Sequence, residues 1–260
     1  MFEYCSLVSG SSGNCHFIKT SQASILIDVG ISARRVVKGL EEIGESMEDV
    51  DAIFISHIHT DHTRGLEVLA KNYGFMIYGR EETLESLNVA SKRRMRVLNG
   101  PVDLEGLLVE SFELPHDAPS TLGFKLSYEE KILSIATDLG YMPDEVMEMI
   151  LPSDFLVLEA NHDEELVRMG PYPYSLKRRI LGELGHLSNE AAGRVISQIY
   201  KEHERLRFVM LAHLSEKNNY PELARMSVEK VLKEEGIKVG RDMLVEVAGR
   251  DHASGLYRIL

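Results

Sequence analysis

Short apolar runs, many with β-branched residues, recur along the 260 residues of this chain, and each ends at a polar side chain. Runs of this length and composition predict buried strands. Polar groups just past the carboxyl ends of strands lie where open α/β sheets place their sites. The runs and the residues that follow them are 52–56 with His57, 107–115 with His116, 131–137 with Asp138, 154–160 with Asn161, and 207–212 with His213.

Segments with apolar residues at helical spacing lie between these strands. Ser32 and Gly44 suit the start and the end of a helix, and Pro143 suits the first turn of a short one. The predicted helices are 32–43, 62–73, 143–150, 188–204 and 221–236. Helices and strands alternate after the first strands, which indicates an α/β protein with covered sheets.

The first thirty residues have a different pattern, typical of a β-meander with a Gly/Ser turn. No linker, low-complexity tract or short-period repeat interrupts the rest of the chain. We therefore expect one domain over residues 1–260 with two sheets covered by helices.

The amino-acid composition indicates the class of protein and its expected location. Hydrophobic residues make up 44% and charged residues 27%, which is typical of a globular protein. We expect no membrane partner and a cytoplasmic location, because there is no basic leader and no apolar run of the roughly 18 to 20 residues that span a bilayer. Cys5 and Cys15 could face each other across a hairpin, but two cysteines in a chain of this length favour reduced, buried thiols.

The net charge of −12 argues at first against a nucleic-acid partner, because polyanions prefer a basic surface. Bound divalent ions would add positive charge, and basic residues do cluster locally. The two clusters are Lys92, Arg93, Arg94 and Arg96, and Lys177, Arg178 and Arg179. Either cluster can also be read as a solvated helix face.

The stretch "FISHIHTDHTRG" carries the most specific chemistry. His57 and His59 are two positions apart, so both imidazoles point the same way in an extended segment and can hold one metal ion. Asp61 and His62 follow where a helix is predicted to begin, and they can face a second ion. A chance arrangement of three histidines and an aspartate at these positions is improbable. The spacing therefore predicts metal binding, with two ions fitting better than one.

"HIHTDH" resembles the HxHxDH motif of the metallo-β-lactamase superfamily, and the family's other site residues have counterparts in the same order: Asp28 in "ILIDVG", His116 in "ELPHD", Asp138 in "IATDLG" and His213 in "MLAHLS". The resemblance implies a four-layer αββα sandwich, with two mixed β-sheets flanked by helices. It also implies a ligand set. His57, His59 and His116 would hold one ion, Asp61, His62 and His213 the other, Asp138 would bridge them, and Asp28 would orient a ligand from behind.

Further motifs suggest a subfamily. "SGSSGN", "NHD", "GPYPYSLKRRI", "GHLSNE" and "LAHLSEKNN" resemble a YycJ (WalJ)-type group of metallohydrolases. That group resembles the nucleic-acid-processing β-CASP branch and is associated with 5′-to-3′ DNA exonuclease activity. The chain departs from full β-CASP nucleases, because only 75 positions (213 minus 138) separate Asp138 from His213 and leave no room for their large inserted domain.

Substrate contacts are predicted at two places. The turn with Ser9, Ser11, Ser12 and Asn14 offers N–H groups and hydroxyls to a phosphate, although a plain hairpin loop has the same composition. Before a helix start, His186 could bind a phosphate or protonate the leaving oxygen, with Ser188 beside it. The alternative for that segment is a structural cap. Asp61 and Asp138 are expected to be catalytic residues as well as metal ligands. His162 would support the metal site or the fold.

These residues, with the resemblance, predict a two-metal phosphodiesterase that uses a metal-bridging hydroxide, and a DNA 5′-to-3′ exonuclease is the expected activity. Nitrogen and oxygen ligands without thiolate suit Zn²⁺, Mn²⁺ or Fe equally. Small phosphodiesters or cyclic nucleotides are the alternative substrates, favoured by the acidic charge, and thioester or lactam hydrolysis is a further one. The sequence leaves cleavage polarity and oligomeric state open.

Overall fold

The structure is a computed structural model that describes residues 1–89 and 92–259. These residues form two seven-stranded sheets. The strands of the first sheet are β1 (Phe2–Val8), β2 (Cys15–Thr20), β3 (Ser24–Ile27), β4 (Ala52–Phe54), β5 (Met76–Gly79), β6 (Met95–Val97) and β14 (Tyr257–Arg258). Those of the second are β7 (Val102–Leu104), β8 (Leu107–Glu113), β9 (Leu122–Tyr128), β10 (Lys131–Ala136), β11 (Phe155–Glu159), β12 (Phe208–Ala212) and β13 (Leu244–Val247).

Both sheets are mixed, and each has a parallel half. In the first sheet β14, β1, β2 and β3 pair antiparallel, and β3, β4, β5 and β6 pair parallel. In the second sheet β7 to β10 pair antiparallel and β10 to β13 pair parallel. Parallel neighbours end at the same edge, so the residues that follow β3, β4, β10, β11 and β12 gather there.

The helices lie outside the sheets. They are α1 (Ala33–Glu42), α2 (Thr60–Thr63), α3 (Leu66–Asn72), α4 (Glu81–Ser86), α5 (Asp144–Ile150), α6 (Glu164–Met169), α7 (Tyr174–Ile180), α8 (Asn189–Glu202) and α9 (Pro221–Glu234). Short 3₁₀ turns occupy Met47–Asp49 and Lys92–Arg94. The helix expected over 62–73 is wrong as a single element, because it is two helices, α2 and α3. At the break, the N–H of Gly65 donates to Val29 O, and a Cβ there would lie 2.5 Å from Ile31 O, so the chain presses directly on the loop after β3.

Three apolar clusters separate four layers. One cluster, with Phe54, Phe124 and Phe155 at its centre, lies between the two sheets. A second fills the space between the first sheet and α1 and α3, and the third lies between the second sheet and α5, α8 and α9. This is the αββα sandwich that the sequence predicts, and the fold prediction is confirmed.

The opening meander is also present, since β1, β2 and β3 pair antiparallel in sequence order. Cys5 lies opposite Phe17 and Cys15 lies opposite Val8. Both cysteines are buried and free, as expected. Within the described residues, the helices are all too short or too polar to cross a bilayer.

Candidate metal centre

Seven side chains that the sequence singles out as ligands meet at the shared edge of the two sheets. Their nitrogen and oxygen atoms form overlapping groups in which all ligand atoms lie within 4.8 Å of one another. The groups are His57, His59 and His116; His57, His62 and Asp138; Asp61, His62 and His213; and Asp138 and His213 together with Glu159 and His186. The side chains come from both sheets, so the fold brings together residues more than 150 positions apart along the chain: 213 minus 57 is 156.

Three of the site residues have left-handed backbone conformations. Asp28 has a φ of 59°, Asp138 of 67° and His213 of 55°. Asp28 directly follows β3, His213 directly follows β12, and Asp138 comes two residues after β10. Such a conformation costs an L-residue about 1 to 3 kcal/mol and persists where the surroundings enforce it. The chain turns sharply at these points, which aims the side chains across the edge of the sheet rather than along the strand.

One group of imidazoles is oriented through its far ring nitrogens. His57 Nδ1 lies 3.0 Å from the hydroxyl of Ser56, and His116 Nδ1 donates to Gly185 O at 3.2 Å. With those nitrogens occupied, His57 Nε2 faces His59 Nδ1 at 3.0 Å and His116 Nε2 lies 3.6 Å from Asp138 Oδ1. Metal-bound histidines are held in this way, with the second nitrogen fixed by a hydrogen bond.

The other group is oriented by two buried carboxylates. His62 Nδ1 lies 2.7 Å from Asp28 Oδ2, and His62 Nε2 lies 3.5 Å from Asp61 Oδ2. His213 Nδ1 lies 2.7 Å from Glu159 Oε1, and its Nε2 lies 3.6 Å from Asp61 Oδ2. Asp28 is further fixed by the N–H and hydroxyl of Ser56, which both donate to it. Asp28 therefore contacts the candidate ligand His62 from the side away from the other ligand atoms, which is the place that the resemblance implies for it.

Asp138 lies between the two groups. Its Oδ1 is 3.6 Å from His116 Nε2, and its Oδ2 is 3.2 Å from His62 Nε2. Within the described part of the chain, neither Asp138 Oδ2 nor His213 Nε2 has a hydrogen-bond partner of good geometry, although both atoms are buried. Buried polar atoms without a partner are rare, and a cation between them would satisfy both. The donor set and these two atoms fit a divalent metal centre.

The electrostatics of the site favour cation binding. Burial raises the pKa of Asp138, but the charges of His213 and His62 outweigh it and hold that pKa well below its usual range. Burial, reinforced by the charge of His62, lowers the pKa of His57, so this imidazole is neutral at neutral pH. Burial would also lower the pKa of His213, but Asp138, Asp61 and Glu159 raise it to about 10. An incoming metal ion would therefore displace a proton from His213.

Glu159 is a site residue that the sequence analysis missed. It is fully buried at the end of β11, where its carboxylate accepts hydrogen bonds from His186, His213 and the N–H groups of Leu139 and Leu187. Burial raises its pKa, but these histidines outweigh burial and lower it to about 2. A usable signal was present, because a glutamate inside the apolar run "FLVLEA" is almost never buried without partners.

His186 lies at the open side of the centre. Its Nδ1 is 2.9 Å from Glu159 Oε1 and 3.7 Å from Asp138 Oδ1, and 21% of its side chain is exposed. The structure thus brings together His186 and the seven candidate ligands. The motif residue Asn161 also contributes, because its Nδ2 donates to the carbonyl of His213 at 2.8 Å.

The serine-rich turn adjoins the site, but part of it is internally bonded. Ser9 Oγ accepts from the N–H of His213 and donates to Asn14 Oδ1, and both residues are buried. Asn14 Nδ2 lies 3.2 Å from His62 Nε2. Ser11 and Ser12 are exposed at the tip of the turn. These contacts give Ser9 and Asn14 a supporting place behind His213 and His62, and the predicted substrate role of the turn stays a prediction.

Two other candidates lie behind the centre. Ser188 caps α8 by accepting from the N–H of Ala191. His162 forms an isolated bridge with Ser188 and is buried, which lowers its pKa to about 4. Neither residue belongs to the groups of converging ligand atoms that the described residues form.

The first basic cluster is partly structural. The guanidinium of Arg94 donates to the carbonyls of Ala70 and Tyr73, and Arg96 donates to Arg93 O and Met95 O. The bonds of Arg94 tie the segment before β6 to the end of α3. Arg179 of the second cluster contacts Asp117, which lies 3.4 Å from His116 Nε2. Among the described residues, the second cluster is thereby the one linked to the metal centre.

A histidine- and aspartate-rich centre at the edge of an αββα sandwich defines a metal-dependent hydrolase. The family model described as "Beta-lactamase superfamily domain" matches residues 23–214, and the chain belongs to this superfamily. The chain is 35% identical to the exodeoxyribonuclease WalJ of Streptococcus pneumoniae, over 99% of this chain and 98% of that protein. It is 36% identical to the exodeoxyribonuclease YycJ of Bacillus anthracis, with 90% of each chain covered. The predicted family is confirmed.

Solved structures agree on the fold. The metallo-β-lactamase fold protein YhfI from Bacillus subtilis superposes with a TM-score of 0.71 at 15% identity, covering 97% of this chain and 99% of that one.

Proposed function

We propose that the protein is a metal-dependent exodeoxyribonuclease that hydrolyses phosphodiester bonds at DNA ends in the 5′-to-3′ direction. The observation that carries this proposal is the position of His186, a partly exposed imidazole beside a largely buried centre of seven candidate metal ligands. The names of the two full-length relatives support DNA as the substrate.

The proposal includes the ligand assignment. One divalent ion would be held by His57, His59 and His116, and the other by Asp61, His62 and His213, with Asp138 shared. Zn²⁺, Mn²⁺ and Fe all suit these nitrogen and oxygen donors. When bound, such ions supply an attacking water of lowered pKa and neutralise charge on the phosphate.

The proposal also covers the setting of the enzyme. Residues 1–260 act as one catalytic domain, which the shared apolar cluster between the two sheets supports. The buried free thiols of Cys5 and Cys15 support a reducing compartment such as the cytoplasm.

The exposed groups of the centre define the side from which substrate enters. His59 has 35% of its side chain exposed and Asp61 has 23%, whereas His57, His62 and His213 are buried. The scissile phosphate therefore approaches over Asp61 and His59, between the serine-rich turn and His186. Ser11 and Ser12 are exposed at the tip of that turn. The N–H and hydroxyl of Ser11 make long contacts with Leu214 O, at 3.5 and 3.4 Å, so Ser12 offers the freer donors to a phosphate.

His186 is placed to move a proton. Glu159 holds Nδ1, so Nε2 is the nitrogen left for the substrate. Burial lowers the pKa of His186, but the charge and hydrogen bond of Glu159 raise it above the usual value. A protonated imidazole at this point can donate to the leaving 3′ oxygen, and such general acids accelerate hydrolysis about 10²- to 10⁴-fold.

A DNA cleavage assay tests the proposal. Purified protein, loaded in turn with Zn²⁺, Mn²⁺ or Fe²⁺, is incubated with DNA labelled at the 5′ end, and with the same DNA labelled at the 3′ end. We expect early release of the 5′-terminal nucleotides, and bound metal measured by mass spectrometry. Turnover of bis(p-nitrophenyl) phosphate without DNA cleavage would contradict the nuclease assignment.

A second candidate is hydrolysis of small phosphodiesters or cyclic nucleotides. It is favoured by the net charge of −12 and by the short separation of Asp138 and His213. Salt separates the two activities, because binding of a polyanion weakens steeply with salt and binding in a small pocket does not. Thioester and lactam substrates belong in the same assay panel.

A further inference from the structure

A cavity of about 610 Å³ lies between the end of α6 and one face of α7. None of the described residues that line it is acidic. The lining is Arg168, Tyr172, Tyr174, Lys177, Arg178, Leu181 and Gly182. Tyr174, Lys177, Arg178 and Leu181 are spaced i, i+3, i+4 and i+7, so they form a single stripe along α7. We call this stripe with Arg168 and Tyr172 the α7 face.

Of the two aromatic side chains of the α7 face, Tyr172 is half-buried and Tyr174 is left free of packing. Tyr174 is 78% exposed, and no described residue of α7 is buried. Each tyrosine follows a proline, in the segment "GPYPY", and proline restricts the backbone at that point. A rigid, exposed aromatic ring is a surface on which a nucleobase can stack, and stacking tolerates any base.

The charge of this segment opposes that of the whole protein. Residues 168–182 contain four basic residues and no acidic one, in a chain of net charge −12. Arg168 pairs with Glu164, and Arg179 pairs with Asp117. Among the described residues, no carboxylate pairs with Lys177 or Arg178, and Lys177 Nζ donates to Arg168 O at 2.7 Å. These two cations are available to phosphates.

Helix α7 contacts the metal centre through residues on the side away from the α7 face. Asp117 accepts from Arg179 and lies 3.4 Å from His116 Nε2, and the N–H of His186 donates to Ile180 O at 3.1 Å. The C-terminal turn of α7 therefore packs on the segment that carries His186. Tyr174 lies five residues before Arg179, or roughly 7 to 8 Å along a helix that rises 1.5 Å per residue. Arg179 projects about 140° around the helix from Tyr174, at 100° per residue, so a strand of DNA that crosses the metal centre reaches the α7 face by passing over α7.

We propose that the α7 face binds the single-stranded DNA that continues from the scissile phosphate over α7, with bases stacked on Tyr174 and Tyr172 and phosphates against Lys177 and Arg178. This inference rests on the proposed function and specifies its substrate, an unpaired strand at the cleaved end. A base inside an intact duplex is stacked on its neighbours and cannot lie on the tyrosines, so blunt duplex DNA is a poor ligand.

Binding to the metal-loaded protein tests the α7 face. The probe is a labelled oligothymidylate with phosphorothioate linkages, which stays uncut, and the readout is fluorescence anisotropy. We expect Tyr174→Ala to weaken binding about tenfold or more, because base–aromatic stacking has that value. Tyr174→Phe keeps the ring and should bind like the wild type. Tyr220→Ala is the matched control, because Tyr220 is also exposed but lies at the start of α9.

Salt dependence tests the cations separately. The double variant Lys177→Ala and Arg178→Ala should lower the slope of log K against log salt by about 0.7 for each phosphate that the protein no longer neutralises. Arg34→Ala, an exposed arginine on α1, should leave the slope unchanged. Melting temperatures of the Tyr174 variants should match the wild type, since no described residue of α7 is buried. The double variant should melt slightly lower, because it loses the hydrogen bond from Lys177 to Arg168 O.

The outcomes separate this inference from the proposed function. Wild-type affinity in Tyr174→Ala and in the double variant, together with DNA cleavage by the wild type, would overturn the α7 face and leave the nuclease standing. Equal competition by blunt duplex DNA would also overturn it. Weakened binding in these variants, without any DNA cleavage by the metal-loaded wild type, would support the surface and refute the nuclease.

Discussion

Glu159 Oε1 lies 2.9 Å from Nδ1 of His186, so a fully buried carboxylate holds the proposed proton donor in one orientation. The same oxygen lies 2.7 Å from Nδ1 of His213. One side chain thus aligns both the proposed proton donor and a proposed metal ligand. A change at Glu159 should affect proton transfer and metal binding together.

We expect Glu159→Gln to reduce kcat/KM on DNA by about 10- to 100-fold, the usual effect of losing a partner that orients metal ligands. The NH₂ group of the glutamine side chain would face the imidazoles and N–H groups that now donate to the Glu159 carboxylate, and two donors cannot form a hydrogen bond with each other. The measurement is steady-state cleavage at saturating metal. Glu216→Gln, an exposed position with the same chemical change, is the control. Full activity of Glu159→Gln would refute the orienting role.

Asp61→Ala and Asp138→Ala should abolish turnover while the protein stays folded. Asp138 lies between the two groups of imidazoles, so its loss should reduce the metal bound per chain, from two ions to one or fewer. Mass spectrometry of the metal content and circular dichroism check the two parts of this prediction. A near-normal rate in either variant would show that the two-metal assignment is wrong.

Asp28→Asn should weaken metal affinity without changing the backbone. Asparagine tolerates the left-handed conformation of Asp28, whose φ is 59°, but it loses one acceptor for the Ser56 and His62 donors. We expect affinity to fall about 10- to 100-fold, measured by competition with a chromophoric chelator. Asp49→Asn, at an exposed position, should bind metal like the wild type.

Gly30→Ala should disrupt the centre by steric overlap. A Cβ at Gly30 would overlap the carbonyl of Asp61 and lie 2.7 Å from the backbone nitrogen of Asn14. Overpacking of this kind costs about 1 to 3 kcal/mol of stability or more, and it moves Asp61. Denaturant unfolding and metal stoichiometry measure the two effects. Gly74→Ala is the control, because a Cβ there contacts nothing within 4 Å.

The stability of the metal-free protein should fall with acid partly through His16. Burial, with smaller effects of the His62 and His213 charges, lowers the pKa of His16 from 6.5 to about 3. Between these two pKa values the unfolded chain binds a proton at His16 and the folded chain does not. The contribution of His16 to stability is therefore fully present above the unfolded pKa and is lost as the pH falls toward the folded pKa. The slope is about 1.4 kcal/mol per pH unit.

As the pH falls by about two units from the pKa of an unfolded histidine, the wild type should lose roughly 2 to 3 kcal/mol of unfolding free energy through His16. His16→Gln cannot take up this proton, so it should lose less stability by that amount. Urea unfolding in the presence of a chelator, at several pH values, measures this difference. The comparison is of slopes, because the variant also lacks the hydrogen bond of His16 Nδ1 with the Tyr4 hydroxyl at 2.9 Å. Exposed His203→Gln should parallel the wild type, and an unchanged slope in His16→Gln would contradict the prediction.

Local sequence was sufficient to choose the candidate ligands that the structure brings together. A strand ends where its apolar run ends, and the residue just beyond it lies at the edge of the sheet, so the sequence alone assigns His57, His116, Asp138 and His213 to one edge. The spacing of His57, His59, Asp61 and His62 carried the prediction of a metal centre. The αββα fold followed from the family resemblance and from the alternation of strands and helices.

Interactions between distant segments could not be predicted in this way. The parallel register of β11 and β12 pairs Glu159 with Ala212, and this pairing brings the carboxylate against His213, which is 54 positions away. The break between α2 and α3 arises because Gly65 packs on the loop after β3. Arg179 reaches Asp117 only because α7 packs beside His186. Strand periodicity predicts which residues are buried at a strand end. The register between strands, however, depends on packing summed over the whole core. The partners of Glu159 and the position of the α7 face were therefore decided by the tertiary structure.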